Sequence, residues 1–279
     1  MSLPTPSLTS PLSQAYLSRF SGVGRLYGLS ALERLAGAHV CVFGVGGVGS
    51  WSVEALARAG VGRLTLVDLD DVCVSNTNRQ LHTLSDTIGR FKVEVLAERA
   101  QAINPELIVH QHVDFFTDKS AAHLLDPSAE GRPPYDVVID AIDQTERKAL
   151  LIAECVRREL KVVVSGAAGG RSQPTLVTHC DLTKSTHDGL LRTLRRLLKQ
   201  THGLPSGGEW GVEAVFSTER PVYPTPEGGV CHEPPAGEAL ALNCQWGFGA
   251  VTHLTATFGF TLAHLAIKHL TSAHLTELT

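Results

Sequence analysis

Apolar and polar positions follow a repeating order along this chain: a short run of strand length, then a longer stretch of helical period. Residues 40–43, 63–68, 107–113, 137–140 and 162–165 are the strand-length runs, rich in Val, Leu and Ile. Runs that are apolar at nearly every position predict strands covered on both faces, as in a parallel sheet. Between them Val53, Leu56 and Ala57 recur at helical spacing, as do Val93, Leu96, Ala97 and Ala100 within 89–103, and 148–159 reads as a third helix. The alternation predicts an α/β fold, with a Rossmann-like doubly wound and mostly parallel sheet.

The order changes beyond Arg171. Residues 175–179 suit an antiparallel strand, and 189–201 a helix with Leu190, Leu191, Leu194, Leu197 and Leu198 on one side. Arg192, Arg195, Arg196 and Lys199 share its other side at i, i+3, i+4 and i+7. Gly/Pro-rich loops at 203–211 and 224–239 surround a short strand at 214–217, and an apolar helix over 247–267 closes the chain. The sheet is thus expected to carry a C-terminal antiparallel extension and a closing apolar helix. At the other end, residues 1–13 are rich in Ser, Thr and Pro and read as a flexible tail. A helical arm over 14–36 follows, interrupted at Ser21-Gly22-Val23-Gly24 with Arg19 and Arg25 on either side.

Composition adds limits rather than answers. The chain has 279 residues, 43% hydrophobic and 19% charged, ordinary for one large globular domain or two small ones. A net charge of −4 gives no overall attraction for nucleic acid, so such a partner needs a local basic patch. The four charges of the 189–201 helix are one candidate; a solvated outer face is the other reading. Six cysteines without a Cys-x-x-Cys pair, and no signal-peptide pattern, point to a reducing cytoplasm and against a zinc cage of paired cysteines. His253, His264, four threonines and three glycines make 247–267 a buried core helix rather than a membrane span, and no membrane partner is expected.

Candidate chemistry begins where the first strand stops. Gly44, Gly46 and Gly49, with Gly47 among them, give a G-x-G-x-x-G spacing between strand and helix. Such a turn brings free helix N–H groups up to a phosphate, and Asp68 stands about 20 residues on, where an acid holds a ribose hydroxyl. A dense polar run, 68–80, leaves the second strand. It supplies Asp70, Asn76 and Arg79; Lys92 follows in the first turn of a helix, where a nearby anion, or simply solvent, accounts for a cation. Asp143 follows the fourth strand as part of Asp140-x-x-Asp143. A redox protein holding NAD needs the glycines and the ribose acid but not the rest. Two cations and an amide suit a triphosphate, and a spare carboxylate suits Mg²⁺, so the set fits ATP better.

Taken together, Gly44-x-Gly-Gly-x-Gly-Ser50, Asp68-x-Asp70, Ser75-Asn76-x-x-Arg79-Gln80, Gly89-x-x-Lys92 and Asp140-x-x-Asp143 resemble the signature of the ubiquitin-activating-type adenylyltransferases, the superfamily of ThiF and MoeB. The resemblance implies a single ATP-binding domain over 14–279, with a nucleotide-binding half (14–170) and a substrate and dimer half (171–279). It implies that Asp68 holds the ribose, that Asn76, Arg79 and Lys92 hold the phosphates, and that Asp143 binds Mg²⁺ or the adenylate site, with Asp70 beside it or capping a turn. It further implies a homodimer in which Arg25, rather than Arg19, reaches the partner's ATP. Arg25, Arg79, Lys92 and Asp143 are then the catalytic set.

Arg25-Leu-Tyr-Gly28, 215–224, and Gly247-Phe-Gly-Ala with Thr255-Ala-Thr-Phe-Gly-Phe260 look like the branch of tRNA threonylcarbamoyladenosine dehydratases. That branch implies ATP-dependent cyclisation of a threonylcarbamoyl carboxylate on tRNA, beside the anticodon, through an acyl-adenylate. It makes Arg192, Arg195, Arg196 and Lys199 candidate tRNA contacts. It also raises a monovalent cation (Na⁺ or K⁺) in the small-residue loop 166–170, and a cysteine-desulfurase or sulfur-acceptor system as partner. The alternative is an adenylyltransferase acting on the Gly-Gly end of a ubiquitin-like sulfur carrier. Missing paired zinc cysteines count against it, although Cys231 in the loop Gly228-Gly-Val-Cys-His232 offers a thioester nucleophile.

Overall fold

The computed structural model describes residues 12–233 and 248–271. In chain order its strands are β1 (His39–Phe43), β2 (Arg63–Val67), β3 (Ile108–His112), β4 (Val137–Asp140), β5 (Val162–Ser165), β6 (Val177–Asp181) and β7 (Glu213–Ser217), followed by a short antiparallel ribbon of β8 (Tyr223–Pro224) and β9 (Val230–Cys231). The helices are α1 (Gln14–Tyr27), α2 (Leu29–Gly37), α3 (Gly49–Ala59), α4 (Lys92–Ile103), α5 (Ala121–Leu125), α6 (Thr145–Arg157), α7 (Gly189–Gln200) and α8 (Thr252–Thr271). The first seven strands form one sheet in the order β3-β2-β1-β4-β5-β7-β6. All neighbours run parallel except β6, which lies antiparallel to β7 at one edge.

Side chains explain the layers. Val40, Val42, Leu64, Leu66, Val137, Ile139, Val163 and Val215 point to one face and pack with α3, α4 and α8. Cys41, Phe43, Val138, Val164, Ala214 and Phe216 alternate to the other, under α5, α6 and α7. Covering both faces is what makes the central strands β1, β2, β4 and β5 largely apolar; the edge strand β3, with His110, Gln111 and His112, stays partly exposed. Strand order reverses between β1 and β4, so the chain leaves these neighbours in opposite directions and opens a crevice beyond their carboxyl ends.

Several boundaries differ from the sequence expectation, each for a local reason. Helix α1 runs unbroken through Ser21–Gly24 and stops at Gly28, whose φ of 92° no L side chain adopts easily. Gly24 serves packing instead: a Cβ there would stand 3.1 Å from Leu32 Cδ2. Helix α4 starts at Lys92 rather than Gly89, because Gly89 (φ 83°) closes a turn back to the Val72 carbonyl at 2.9 Å. Helix α6 begins at Thr145, ahead of the expected 148. Strand β7, expected as a short strand among loops, inserts between β5 and β6 and runs parallel to β5. The sheet therefore crosses residue 171, and β6 alone is antiparallel within it. Helix α5 had no expectation attached, and the β8–β9 ribbon forms at and within the stretch 224–239 expected as a loop. Residues 1–11 of the expected tail, Cys244 and Gly247 lie outside the described residues, while Ser13 caps α1 by accepting from the Tyr16 amide at 2.9 Å. Among the described residues no helix is long and apolar enough to cross a membrane.

Candidate active site

Two glycines shape the floor of the crevice. Gly44 ends β1 with φ 78°, and a Cβ on it would lie 2.8 Å from the Ala141 carbonyl oxygen at the end of β4. On Gly49 a Cβ would fall 1.9 Å from the Gly44 carbonyl, so α3 starts closer to β1 than any side chain permits. Helix α3 has no side-chain cap; the amides of Ser50 and Trp51 already donate to the carbonyls of Gly46 (3.1 Å) and Val48 (3.2 Å), so the amides left to meet an anion are those of the Gly46–Gly49 turn before them. Asp68 follows β2 and fixes the loop: its carboxylate accepts from the amides of Val45 (2.8 Å) and Asp70 (2.9 Å). Burial raises the Asp68 pKa, against the pull of Lys92 and of these two amides.

The polar excursion after β2 brings its cations to the same edge of the sheet. Lys92, 5% exposed, reaches Asp70 at 2.6 Å, while Asp70 itself is open to solvent. Asn76 is buried and accepts from the Cys73 amide at 3.1 Å. Arg79 donates to the Ser75 carbonyl and to Asn78 Oδ1, both at 3.0 Å, and its Cγ would lie 3.3 Å from a Cβ on Gly47. Straps from two helices hold this loop. The Trp51 indole of α3 donates to the Arg79 carbonyl at 3.1 Å, and Thr255 of α8 donates to it at 3.3 Å. Thr252 donates to the Asn78 carbonyl at 2.6 Å, and the Asn78 amide to the Ala250 carbonyl at 2.8 Å. Sequence reasoning missed Trp51, Thr252 and Thr255 as supports, since hydrogen bonds to a distant backbone carbonyl leave no local pattern.

Beyond β4 the two acids of one motif have opposite environments. Asp140 is fully buried and bonds Lys148 of α6 at 2.9 Å, with Lys148 also fully buried. The same carboxylate accepts from the Ile142 amide at 3.1 Å, and Lys148 also donates to the Asp140 carbonyl at 3.2 Å. Burial pushes the Asp140 carboxyl upward and Lys148 pulls it back. The pair braces the turn that presents Asp143, which is exposed at the switch point. Asp70 is engaged by Lys92, whereas among the described residues no hydrogen bond or ion pair engages the Asp143 carboxylate.

Other expected residues lie elsewhere. Arg25 is exposed in the last turn of α1, and among the described residues no hydrogen bond or ion pair joins it to the crevice. On α7, Arg192 and Arg196 are exposed. Arg195 instead turns inward, donating to the Leu182 carbonyl at 3.3 Å and to the Ser185 hydroxyl, and Lys199 sits 5.9 Å from the Trp210 ring. In the 166–170 loop, buried Arg171 donates to the carbonyls of Ala167, Gly169, His187 and Glu219. Cys231 lies in β9 with its thiol on the Glu233 carbonyl at 3.3 Å.

Close to Lys92, His82 is buried with both ring nitrogens unpaired among the described residues. Burial, reinforced by Lys92, lowers its pKa from the ordinary 6.5 to about 4. Between those values the unfolded chain binds the proton and the folded one does not, so stability falls as pH drops through that window. Replacing His82 with Leu should flatten this limb in melting curves recorded from pH 7 to 4. At neutral pH the same change should leave stability equal or raise it by about 1 kcal/mol, since two unpaired polar atoms disappear.

Comparison with known proteins gives consistent relatives. A tRNA threonylcarbamoyladenosine dehydratase of Escherichia coli (strain K12) is 47% identical over 260 residues, which span 92% of this chain and 95% of that protein. The Haemophilus influenzae protein of the same name is 44% identical over 247 residues, spanning 88% and 90%. Among solved structures, E. coli tRNA N6-threonylcarbamoyladenosine dehydratase, TcdA, in complex with ATP superposes with a TM-score of 0.82 at 43% identity, covering 96% of this chain and 100% of that one. The model of the ThiF family matches residues 20–278, and the chain belongs to the ThiF family.

Proposed function

We propose that this chain is an ATP-dependent tRNA threonylcarbamoyladenosine dehydratase, which activates the threonylcarbamoyl carboxylate as an acyl-adenylate and lets it cyclise. One observation carries the reading: identity of 47% to a dehydratase of that name runs over nearly the whole of both chains. Loss of AMP in place of water gives the carboxylate a good leaving group, and the attacking atom is already in the same side chain. Proximity then supplies much of the acceleration without an enzyme nucleophile.

The chain's own residues position and neutralise. The amides of the Gly46–Gly49 turn meet the phosphates, and Asp68 meets the ribose. Lys92 and Arg79, with Asn76, stabilise charge on the departing pyrophosphate. Asp143 fits Mg²⁺, being an exposed, hard oxygen ligand beside the same crevice. When bound, the ion screens phosphate charge. Arg25 completes the site of a partner subunit in a homodimer. A monovalent cation at the 166–170 loop would compete with the Arg171 guanidinium for the carbonyls of Ala167 and Gly169. The enzyme works in the cytoplasm, with a sulfur-acceptor system as a further partner.

The test is release of AMP and pyrophosphate from ATP and Mg²⁺ with tRNA carrying threonylcarbamoyladenosine, against the same tRNA unmodified. Release only with the modified tRNA, and a nucleoside lighter by one water, is the expected result; release only with a Gly-Gly-ended carrier protein would transfer the assignment to the sulfur-carrier branch. For tRNA contact, Arg192, Arg196 and Lys199 are the exposed cations of α7, and the two arginines stand one helical turn apart. Reversing both to Glu should weaken tRNA binding at least tenfold and lower its salt dependence by about two phosphate contacts. Unchanged binding would leave this helix face as solvated surface.

A further inference from the structure

We propose a second binding site, for a divalent transition-metal ion of the zinc type, formed by His112, His123 and Glu130. The three residues come from separate elements: the end of the edge strand β3, the short helix α5, and the single helical turn Pro127–Glu130. One ligand atom from each lies within 4.8 Å of the other two. His123 Nδ1 is 3.3 Å from Glu130, and the two imidazole rings stand nearly perpendicular with centroids 5.4 Å apart.

The donor set selects the ion. Two imidazoles and one carboxylate oxygen suit Zn²⁺ or its Ni²⁺ and Cu²⁺ neighbours, whereas Mg²⁺ and Ca²⁺ take oxygen ligands. Three protein ligands leave a fourth position for water. Outer support is already built. Arg132, 7% exposed, holds the second oxygen of Glu130 at 2.7 Å and so leaves the first turned toward His123. Such partners fix the orientation of a ligating carboxylate. An ion here would clamp the long excursion between β3 and β4 onto the edge strand. It would sit one hydrogen bond from the crevice, because the His112 carbonyl accepts the Asp68 amide at 3.1 Å.

The site lies apart from the nucleotide residues, so its test needs no turnover. Untagged, metal-stripped protein is titrated with ZnCl₂ in a calorimeter, and with MgCl₂ in parallel. Expected is one Zn²⁺ bound per chain at micromolar concentration or tighter, no comparable Mg²⁺ signal, and a higher melting temperature with Zn²⁺. His123→Ala, at an exposed position, should weaken Zn²⁺ at least tenfold while melting like the parent without metal; Glu130→Gln should weaken Zn²⁺ as much but melt lower, because it removes the charge paired with the buried Arg132. The control is His179→Ala with His269→Ala, which removes the other histidine pair around a glutamate, at 3.6 and 2.7 Å from Glu213. Zn²⁺ binding that survives His123→Ala, or that disappears in the control instead, overturns the proposal. So does binding only at millimolar concentration. Failure here would leave the dehydratase reading untouched, since AMP release is measured separately.

Discussion

Replacing Lys148 with Met should cost about 3–5 kcal/mol of folding stability, the largest loss expected from a single substitution near the site. Lys148 and Asp140 are both fully buried, and Lys148 is the cation on the Asp140 carboxylate at 2.9 Å. Removing it strands a charge in the interior, or forces the carboxyl to take up a proton that burial already favours. Denaturant unfolding of the single variant gives the cost directly. The double variant Lys148→Met with Asp140→Asn should recover most of it, because Asn keeps an acceptor for the Ile142 amide without the charge. A double variant as unstable as the single one would show that the loss comes from the packing of α6 instead. Activity should follow stability in this series, since neither residue faces the crevice.

The largest loss of activity is expected at Lys92. Changing it to Met should reduce kcat/KM for pyrophosphate release by about a thousandfold, roughly 4 kcal/mol of transition-state stabilisation. Here stability should move little. The partner left behind, Asp70, has a side chain 61% exposed and stays solvated, and Met fills the buried volume of the lysine stem. Arginine should not rescue it, because a planar guanidinium does not fit a buried slot shaped around an ammonium. The discriminating measurement is melting temperature beside steady-state rate. A variant that melts like the parent and keeps a tenth or more of its activity would make Lys92 merely the counter-ion of Asp70.

These two lysines also show what the sequence discloses and what it withholds. The central parallel strands β1, β2, β4 and β5 were legible because burial on both faces makes them largely apolar, and the glycine loop because Gly49 tolerates no side chain. Lys92 stood out as a cation at a helix start. Lys148 did not: it was only the first residue of an expected helix, and its partner lies eight positions back across a turn. Asp140 and Asp143 look equivalent as letters of one motif. One ends a buried strand and the other lies in the loop that follows, and that difference depends on where β4 stops. The position of β7 inside the sheet was hidden for a related reason, since strand neighbours are chosen by tertiary packing and not by spacing along the chain. Inward-turning Arg195 was read as part of a surface strip because its acceptors, Leu182 and Ser185, belong to another segment.

The straps on the Asn78–Arg79 loop come from the far end of the chain. Thr252 and Thr255 hold the backbone of Asn78 and Arg79 from 174 and 176 residues further along. A nascent chain leaving the ribosome therefore displays its glycine turn, Asp68, Arg79 and Lys92 long before the helix that steadies them has been made. The Asn78–Arg79 loop gains these two supports only once the closing helix has been made.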